Sequence, residues 1–428
     1  MTDLRLGLLL QQTTEIRQPP FDGPANHTRA VFHALRNLGH TVRLVARIED
    51  GIWATDDLHG FRSLEAPKAD RGWFRLLESG IRRTQRSLRL PYANLFESRR
   101  FALAACRELA EADVLYERLS WMGWGGAWAA ARLGRPLVVE YNGDPLLDLE
   151  AKGMAPGGLQ RRLSLALMRR SLRRAAHVVA SGEGWRRQFI ERWEFDPQRV
   201  TAIENGTSLV ERLRRQDLRS FDGTGVAPEP LRVVYLGGFQ PWQGVAILIR
   251  ALQQALARVD LQLWLIGDGP GLADARRQVE TAQLASRVVF TGSLSAEEYG
   301  PLLARSDIGV SAYCGWREYS GLKLLEYKAA GLAIIASGEA DQPRTLRHGE
   351  TGWIFPACDE AALTRALMEL AEDRGLRRRL GQAARLEAER QHSWSETGRG
   401  LTEVFRQVQA DVPAGGGPRG TAIPRSST

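Results

Sequence analysis

Short apolar runs alternate along this chain with longer segments whose apolar positions recur at helical spacing. Residues 4–10 (LRLGLLL) and 41–46 (TVRLVA) are apolar enough for buried strands. Between them Val31, Phe32 and Leu35 share one side of a helix predicted over 25–38, which Gly39 and His40 end. The rhythm returns with strands at 113–117 (DVLYE) and 136–140 (PLVVE) around a tryptophan-rich helix over 121–132, then with strands at 177–181 and 200–206. A second series opens at 231–244 (LRVVYLGGFQPWQG), a strand feeding a glycine-containing loop before a helix over 245–257. A strand and glycine-rich turn over 261–270, a strand and turn over 288–294 and strands at 307–312 and 332–337 follow, then helices over 360–372 and 377–390 and a last one to about 409. Strand–helix–strand repetition of this kind predicts an α/β fold built on parallel sheets.

Three stretches fall outside the rhythm. Residues 51–100 loosen into a basic segment in which Trp73, Phe74, Leu76, Leu77 and Ile81 sit among six arginines. Residues 209–230 are polar and turn-rich and are predicted as an interdomain linker, and residues 411–428 read as a disordered tail by composition.

At 428 residues the chain is long enough for two or three domains with cores of their own, and 43% hydrophobic against 25% charged residues excludes global disorder. No apolar run approaches the roughly 18 residues of a membrane span, and 4–10 is too short and too polar in its continuation for a signal peptide. Cys106, Cys314 and Cys358 are widely spaced and odd in number, which argues against a disulfide framework and for a reducing cytoplasm. The net charge of +8 is lopsided. Residues 1–220 hold 35 Lys and Arg against 26 Asp and Glu, the remainder 23 against 24. The basic half suits an anionic lipid surface or a phosphorylated acceptor; nucleic acid is not expected, because no recognised binding motif accompanies the charge.

The densest candidate chemistry lies in 317–331, REYSGLKLLEYKAAG. It reads as a loop running into a helix that begins near Ser320 and Gly321. Helix first-turn amides lack intrahelical partners and stand at the positive end of the dipole, so this corner suits an anion, and Gly321 lets a phosphate approach the backbone. Lys323 adds a cation, and Glu318 and Glu326 bracket the site with seven residues between them.

That Glu-x7-Glu spacing, followed by Ala-Gly and an apolar strand, resembles the donor-site signature of the family 4 glycosyltransferases. The resemblance covers about residues 4–410 and is most specific over 231–352. It implies a GT-B fold: two Rossmann-like domains facing a cleft, 1–208 and 231–394, with a C-terminal helix (395–410) returning to the first. It further implies a retaining, metal-independent transferase, needing no cofactor, that moves a sugar from a nucleotide diphosphate donor to a glycan or lipid-linked acceptor, as in cell-surface polysaccharide or glycolipid synthesis. The absence of an Asp-x-Asp triplet agrees with metal independence. Carried over position by position, Glu318 contacts the transferred sugar, the Ser320–Gly321–Leu322 amides hold the diphosphate, and Glu326 takes the ribose hydroxyls. Gly23 stands for the family's glycines facing the phosphates, and the Gly267 turn lies near the base. Asn142 ends a strand where many members carry a sugar-contacting His. In the loop after residue 236 the family has an Arg and a Lys on the diphosphate, where this chain has Gly238, after Gly237, and Gln243. Lys323 and the helix-end amides are therefore expected to carry more of the anion. Two other readings are a degenerate scaffold that binds a partner, and a nucleotide-sugar hydrolase or epimerase on the same fold. The expected location is the cytoplasm, peripheral on the inner face of the membrane.

Overall fold

Apolar runs flanked by glycine become strands buried on both faces, and the computed structural model arranges them in two sheets. It describes residues 3–19, 23–64, 72–87, 95–151, 153–221, 230–315, 321–338 and 345–411. By its internal contacts the chain divides into one unit up to Ile203 that resumes at Thr397, and another spanning Glu204–Glu396.

The first unit runs β1 (Arg5–Leu10), α1 (Gly23–Asn37), β2 (Thr41–Ile48), β3 (Gly51–Thr55), β4 (Arg62–Ser63), α2 (Gly72–Ser87), α3 (Leu95–Glu108), β5 (Val114–Arg118), α4 (Gly125–Leu133), β6 (Leu137–Tyr141), α5 (Pro145–Ala151), α6 (Gly158–Leu172), β7 (His177–Ala180), α7 (Glu183–Trp193) and β8 (Val200–Ala202). Its sheet has the order β4-β3-β2-β1-β5-β6-β7-β8. Pairing is parallel from β2 through β8, while β3 and β4 join antiparallel at one edge. The loosened pattern of 51–100 thus hides an edge hairpin and two helices.

The second unit contains α8 (Leu209–Arg212), β9 (Leu231–Leu236), α9 (Val245–Ala255), β10 (Leu261–Ile266), α10 (Leu272–Thr281), β11 (Val288–Gly292), α11 (Ala296–Ala304), β12 (Ile308–Ser311), α12 (Leu322–Ala329), β13 (Ala333–Gly338), β14 (Trp353–Pro356), α13 (Glu360–Glu372) and α14 (Arg374–Gln391). Its six strands are all parallel, ordered β11-β10-β9-β12-β13-β14. The last helix, α15 (Trp394–Ala410), belongs from Thr397 onward to the first unit. There Phe405 meets Tyr116 edge to face at 5.3 Å, and Thr402 Oγ1 lies 2.9 Å from His40 Nε2.

One sequence expectation changes here. The linker predicted at 209–230 is, as far as Phe221, part of the second unit: Leu209 and Leu218 are buried, and the Arg385 guanidinium donates to the carbonyls of Val210 and Leu213 at 2.9 and 2.8 Å. Its apolar positions are too few and too widely spaced to show a period. Residues 222–229, and the tail beyond Asp411, lie outside the described residues. The basic helices leave apolar side chains exposed. In α2 the carboxylate of Glu78 is turned inward, bridging Arg82 and Arg100, while Leu76 is 76% exposed and Leu77 47%. In α6 the buried residues are Ser164, Met168 and Leu172, and Leu159 (71% exposed) and Leu163 face out beside Arg162 and Arg170. No helix among the described residues is long and apolar enough to cross a membrane.

Candidate functional site

In an open parallel sheet the crevice for a ligand lies beyond the carboxyl ends of strands where the strand order reverses. In the second unit that point falls between β9 and β12. The chain leaving β9 is Gly237–Gly238, and the chain leaving β12 is Ala312–Cys314, which runs beside the short turn Pro241–Gln243. The Cys314 amide donates to the Trp242 carbonyl at 2.8 Å. Gly244 has φ +70°, and a β-carbon there would meet the Ala312 carbonyl oxygen at 1.6 Å, so only glycine lets the two loops approach this closely.

Lys323 comes up under this loop from the first turn of α12. Its Nζ lies 4.6 Å from the centre of the Tyr235 ring and 4.9 Å from that of Tyr313, between two faces that attract a cation. A β-carbon at Gly237 would sit 3.0 Å from the same nitrogen. Gln243 braces the arrangement: its Oε1 accepts from Tyr235 Oη at 2.8 Å and from the Gln240 amide at 3.1 Å, while Nε2 reaches Tyr313 Oη at 3.4 Å. Lys323, Gly237 and Gln243 are thus brought together. Gly238 stands open, its nearest atoms beyond a β-carbon being 3.9 Å away. Gly267 packs backbone against backbone on the Gly237 carbonyl.

Gly321 precedes α12 and its carbonyl accepts from the amides of Leu324 and Leu325, so the helix starts one residue later than the sequence suggests, with Leu322 half exposed. Glu326 points elsewhere, accepting from Thr207 Oγ1 at 2.9 Å and from the Tyr299 hydroxyl. Burial pushes its carboxyl up to about 7 against those two hydrogen bonds. Two residues on, Lys328 is fully buried, 3.3 Å from both Glu387 and His392, and anchors the helix; burial lowers its pKa. Glu318 and Ser320 lie outside the described residues.

In the first unit Asn142 follows β6, and its Nδ2 lies 3.0 Å from His27 Nε2 on α1. That ring nitrogen is also 2.6 Å from Glu140 Oε1, which accepts from Tyr116 Oη. Burial opposes charge on Glu140, yet His27, Arg118 and Tyr116 bring its carboxyl down to about 2. Asn142 Oδ1 is buried with no hydrogen-bond partner among the described residues. Gly23 is the first residue of α1, open on its β-carbon side. Asp144, two residues beyond Asn142, braces the fold: it is buried, accepts from the Leu146 amide at 2.9 Å and pairs with Arg192 at 2.5 Å.

Tyr235, Tyr313, Thr207 and Tyr299 escaped sequence reasoning, because each reaches the site from a different element and none stands in a motif. The expectation that the cysteines form no disulfide is corrected. Cys314 and Cys358, 44 residues apart, are disulfide-bonded with Cα atoms 4.8 Å apart. One follows β12 and the other β14, strands that end on the same side of the sheet, a proximity that linear spacing does not carry. Cys106 remains a free thiol. Among the described residues no group of three or more His, Cys, Asp or Glu side chains is placed to hold a metal ion.

Comparison with known proteins agrees with this architecture. The model of the glycosyl transferase 4-like domain matches residues 22–206, and that of glycosyl transferases group 1 matches 230–373. A D-inositol 3-phosphate glycosyltransferase of Nocardioides is 25% identical over 327 residues, 72% of this chain and 70% of the relative. A GDP-mannose-dependent alpha-(1-6)-phosphatidylinositol monomannoside mannosyltransferase of Mycolicibacterium smegmatis is 32% identical over 188 residues, 42% of this chain and 49% of its own. Among solved structures, sucrose-phosphate synthase of Thermosynechococcus elongatus superposes with a TM-score of 0.67 at 19% identity, over 95% of this chain and 99% of that one. Anabaena HepE in complex with UDP gives 0.65 at 18%, over 94% and 100%. Two units built on largely parallel sheets, like those of these solved structures, place the fold in the GT-B class of sugar-transferring enzymes. Within it the chain belongs to the family 4 glycosyltransferases.

Proposed function

We propose that the protein is a retaining, metal-independent glycosyltransferase that takes a sugar from a nucleotide diphosphate donor on its second unit. The acceptor is a glycan or lipid-linked molecule used in cell-surface polysaccharide or glycolipid synthesis. The observation that carries this reading is Lys323, held by two tyrosine rings against Gly237 where the sheet order reverses. Departure of a diphosphate develops negative charge, and a cation fixed beforehand together with the α12 first-turn amides stabilises it without reorganisation. The ammonium stands beside the Gly237–Gly238 loop that in other family members supplies the cations, so this chain relocates the charge from loop to helix. Glu326 binds the ribose hydroxyls, displacing Thr207 as its partner. Glu318, by its motif position, contacts the transferred sugar. In the first unit the buried Asn142 Oδ1 accepts a sugar hydroxyl, beside the ordered His27–Glu140 pair.

An acceptor embedded in an anionic membrane fits the outward leucines and arginines of α2 and α6, and the names of the Nocardioides and Mycolicibacterium relatives point to phosphorylated inositol and phosphatidylinositol acceptors. The protein works on this reading at the cytoplasmic face of the membrane. Calorimetric titration with UDP, GDP and ADP tests the donor site. One of the three is expected to bind the wild-type chain, and Lys323→Ala is expected to weaken that binding at least tenfold. Equal affinity in a folded Lys323→Ala protein would place the diphosphate elsewhere.

A further inference from the structure

The disulfide lies at the edge of the loop that frames Lys323. Cys314 follows Tyr313 directly, and three contacts tie this stretch to the crevice: the Tyr313 ring under the Lys323 ammonium, Gln243 Nε2 on Tyr313 Oη, and the Cys314 amide on the Trp242 carbonyl. On the other side, Cys358 sits in a turn with φ +66° just before Asp359, whose carboxylate caps α13 by accepting from the Ala362 amide at 2.8 Å. That helix is itself fixed to α9, where Glu360 accepts from Arg250 and Gln254 at 2.5 and 2.7 Å. The bond therefore links the loop beside Lys323 to a rigid helix pair across the end of the sheet. Its two residues differ in exposure, Cys358 being exposed and Cys314 partly buried against the apolar core.

We propose that the Cys314–Cys358 disulfide is a redox-sensitive strap that holds the Tyr313–Cys314 loop in the geometry that binds the donor diphosphate. The proposal rests on the donor reading given above. A thiolate from a small dithiol attacks Sγ of Cys358, the more exposed of the two residues; the S–S bond breaks, and its electron pair leaves on Cys314 Sγ, which takes up a proton. The second thiol of the reductant then displaces Cys358 as a thiol and closes the reductant's own disulfide, so two electrons pass from reductant to protein. Released from α13, the loop samples positions in which Tyr313 no longer supports Lys323 or Gln243, and donor affinity falls. In a compartment rich in thiols the enzyme then binds donor weakly, and oxidation tightens it.

The test uses the full chain, prepared oxidised with glutathione disulfide or reduced with dithiothreitol, and reads two quantities. Hydrogen exchange at the Cys314 amide is expected to speed up on reduction, and affinity for whichever nucleoside diphosphate binds (UDP, GDP or ADP) to fall roughly three- to tenfold, the loss of a loop constraint without loss of the ligand contacts. Cys358→Ser should match the reduced chain under both conditions, and Cys106→Ser should keep the full response. Three free thiols in the oxidised preparation would overturn the strap, as would unchanged exchange at Cys314 or equal nucleotide affinity in the two states. Faster exchange on reduction with no nucleotide bound in either state would instead support the strap and remove the donor reading.

Discussion

Near neutral pH the Glu326 carboxyl exchanges its proton over a narrow range, because burial has pushed it up to about 7. Ribose hydroxyls donate more strongly to a carboxylate than to a neutral acid, so nucleotide binding favours the ionised form. Affinity for the nucleotide is expected to rise between about pH 6 and about pH 8, with a proton released on binding. Folding responds with the opposite sign. A carboxyl whose folded pKa is raised contributes best below its ordinary value, and that contribution is lost as pH climbs through about 7. Calorimetry in buffers of different ionisation enthalpy reads the proton; Glu326→Gln should abolish it, and Glu326→Ala should weaken binding by about 1.5–3 kcal/mol. An affinity that is flat with pH in the wild-type chain would take Glu326 out of the ribose site. The neighbouring loop allows a sharper comparison. Gly238 is open, so Gly238→Arg can add a second cation, with a net gain of about 1 kcal/mol once desolvation offsets most of the Coulomb attraction. Gln243→Lys, although it adds the same charge, removes the acceptor that Tyr235 Oη and the Gln240 amide use, and should cost about 1–3 kcal/mol in stability or donor binding. Titration and thermal unfolding of both variants separate charge from fit, and tighter binding by Gln243→Lys would show the brace to be dispensable.

Among the elements, α2 and α6 leave leucines exposed that an amphipathic helix would bury. A helix packed on a protein normally turns leucine inward and charge outward, but in α2 the acidic Glu78 is satisfied inside by Arg82 and Arg100, and Leu76, Leu77, Leu159 and Leu163 remain exposed while α6 buries Met168 and Leu172. Solvated leucine gives up the stabilisation that burial would bring, about 1.5–3 kcal/mol for a complete side chain, whereas insertion beside anionic headgroups recovers it and places arginine at the lipid phosphates. Vesicles rich in phosphatidylglycerol are therefore expected to sediment the protein at low salt and to release part of it as screening shortens to about 8 Å at 0.15 M. Replacing Leu159 and Leu163 together by serine should lower that binding roughly tenfold while leaving the unfolding temperature in place, since both side chains are exposed. Undiminished vesicle binding by the double variant would mean that arginines alone make the contact. The pattern was partly legible. The interleaving of apolar residues and arginine over 51–100 announced a basic segment with apolar side chains, but which side packs is decided by what the neighbouring elements offer, and α3 offers Arg100.

For the molecule as a whole, the two units share a chain that leaves the first at Ile203 and returns to it at Thr397. The first unit is therefore completed by α15, whose Leu401, Val404, Phe405 and Val408 are buried. Phe405→Ala should destabilise that unit by about 3–5 kcal/mol, seen in calorimetry as an early transition while the transition of Glu204–Glu396 stays where it was. One shifted transition for the entire chain would mean that the units unfold together. The strand–helix repetition outside residues 51–100, the α/β class and the spacing of Glu318, Lys323 and Glu326 were determined by sequence alone, because apolar periodicity and motif spacing are properties of neighbours along the chain. The order of strands, the tyrosine pair around Lys323, the inward turn of Glu78, the brace made by Gln243 and the joining of Cys314 to Cys358 belong to the tertiary structure. Each depends on groups many residues apart meeting in space, and that meeting is set by the packing of whole elements, which no local pattern encodes.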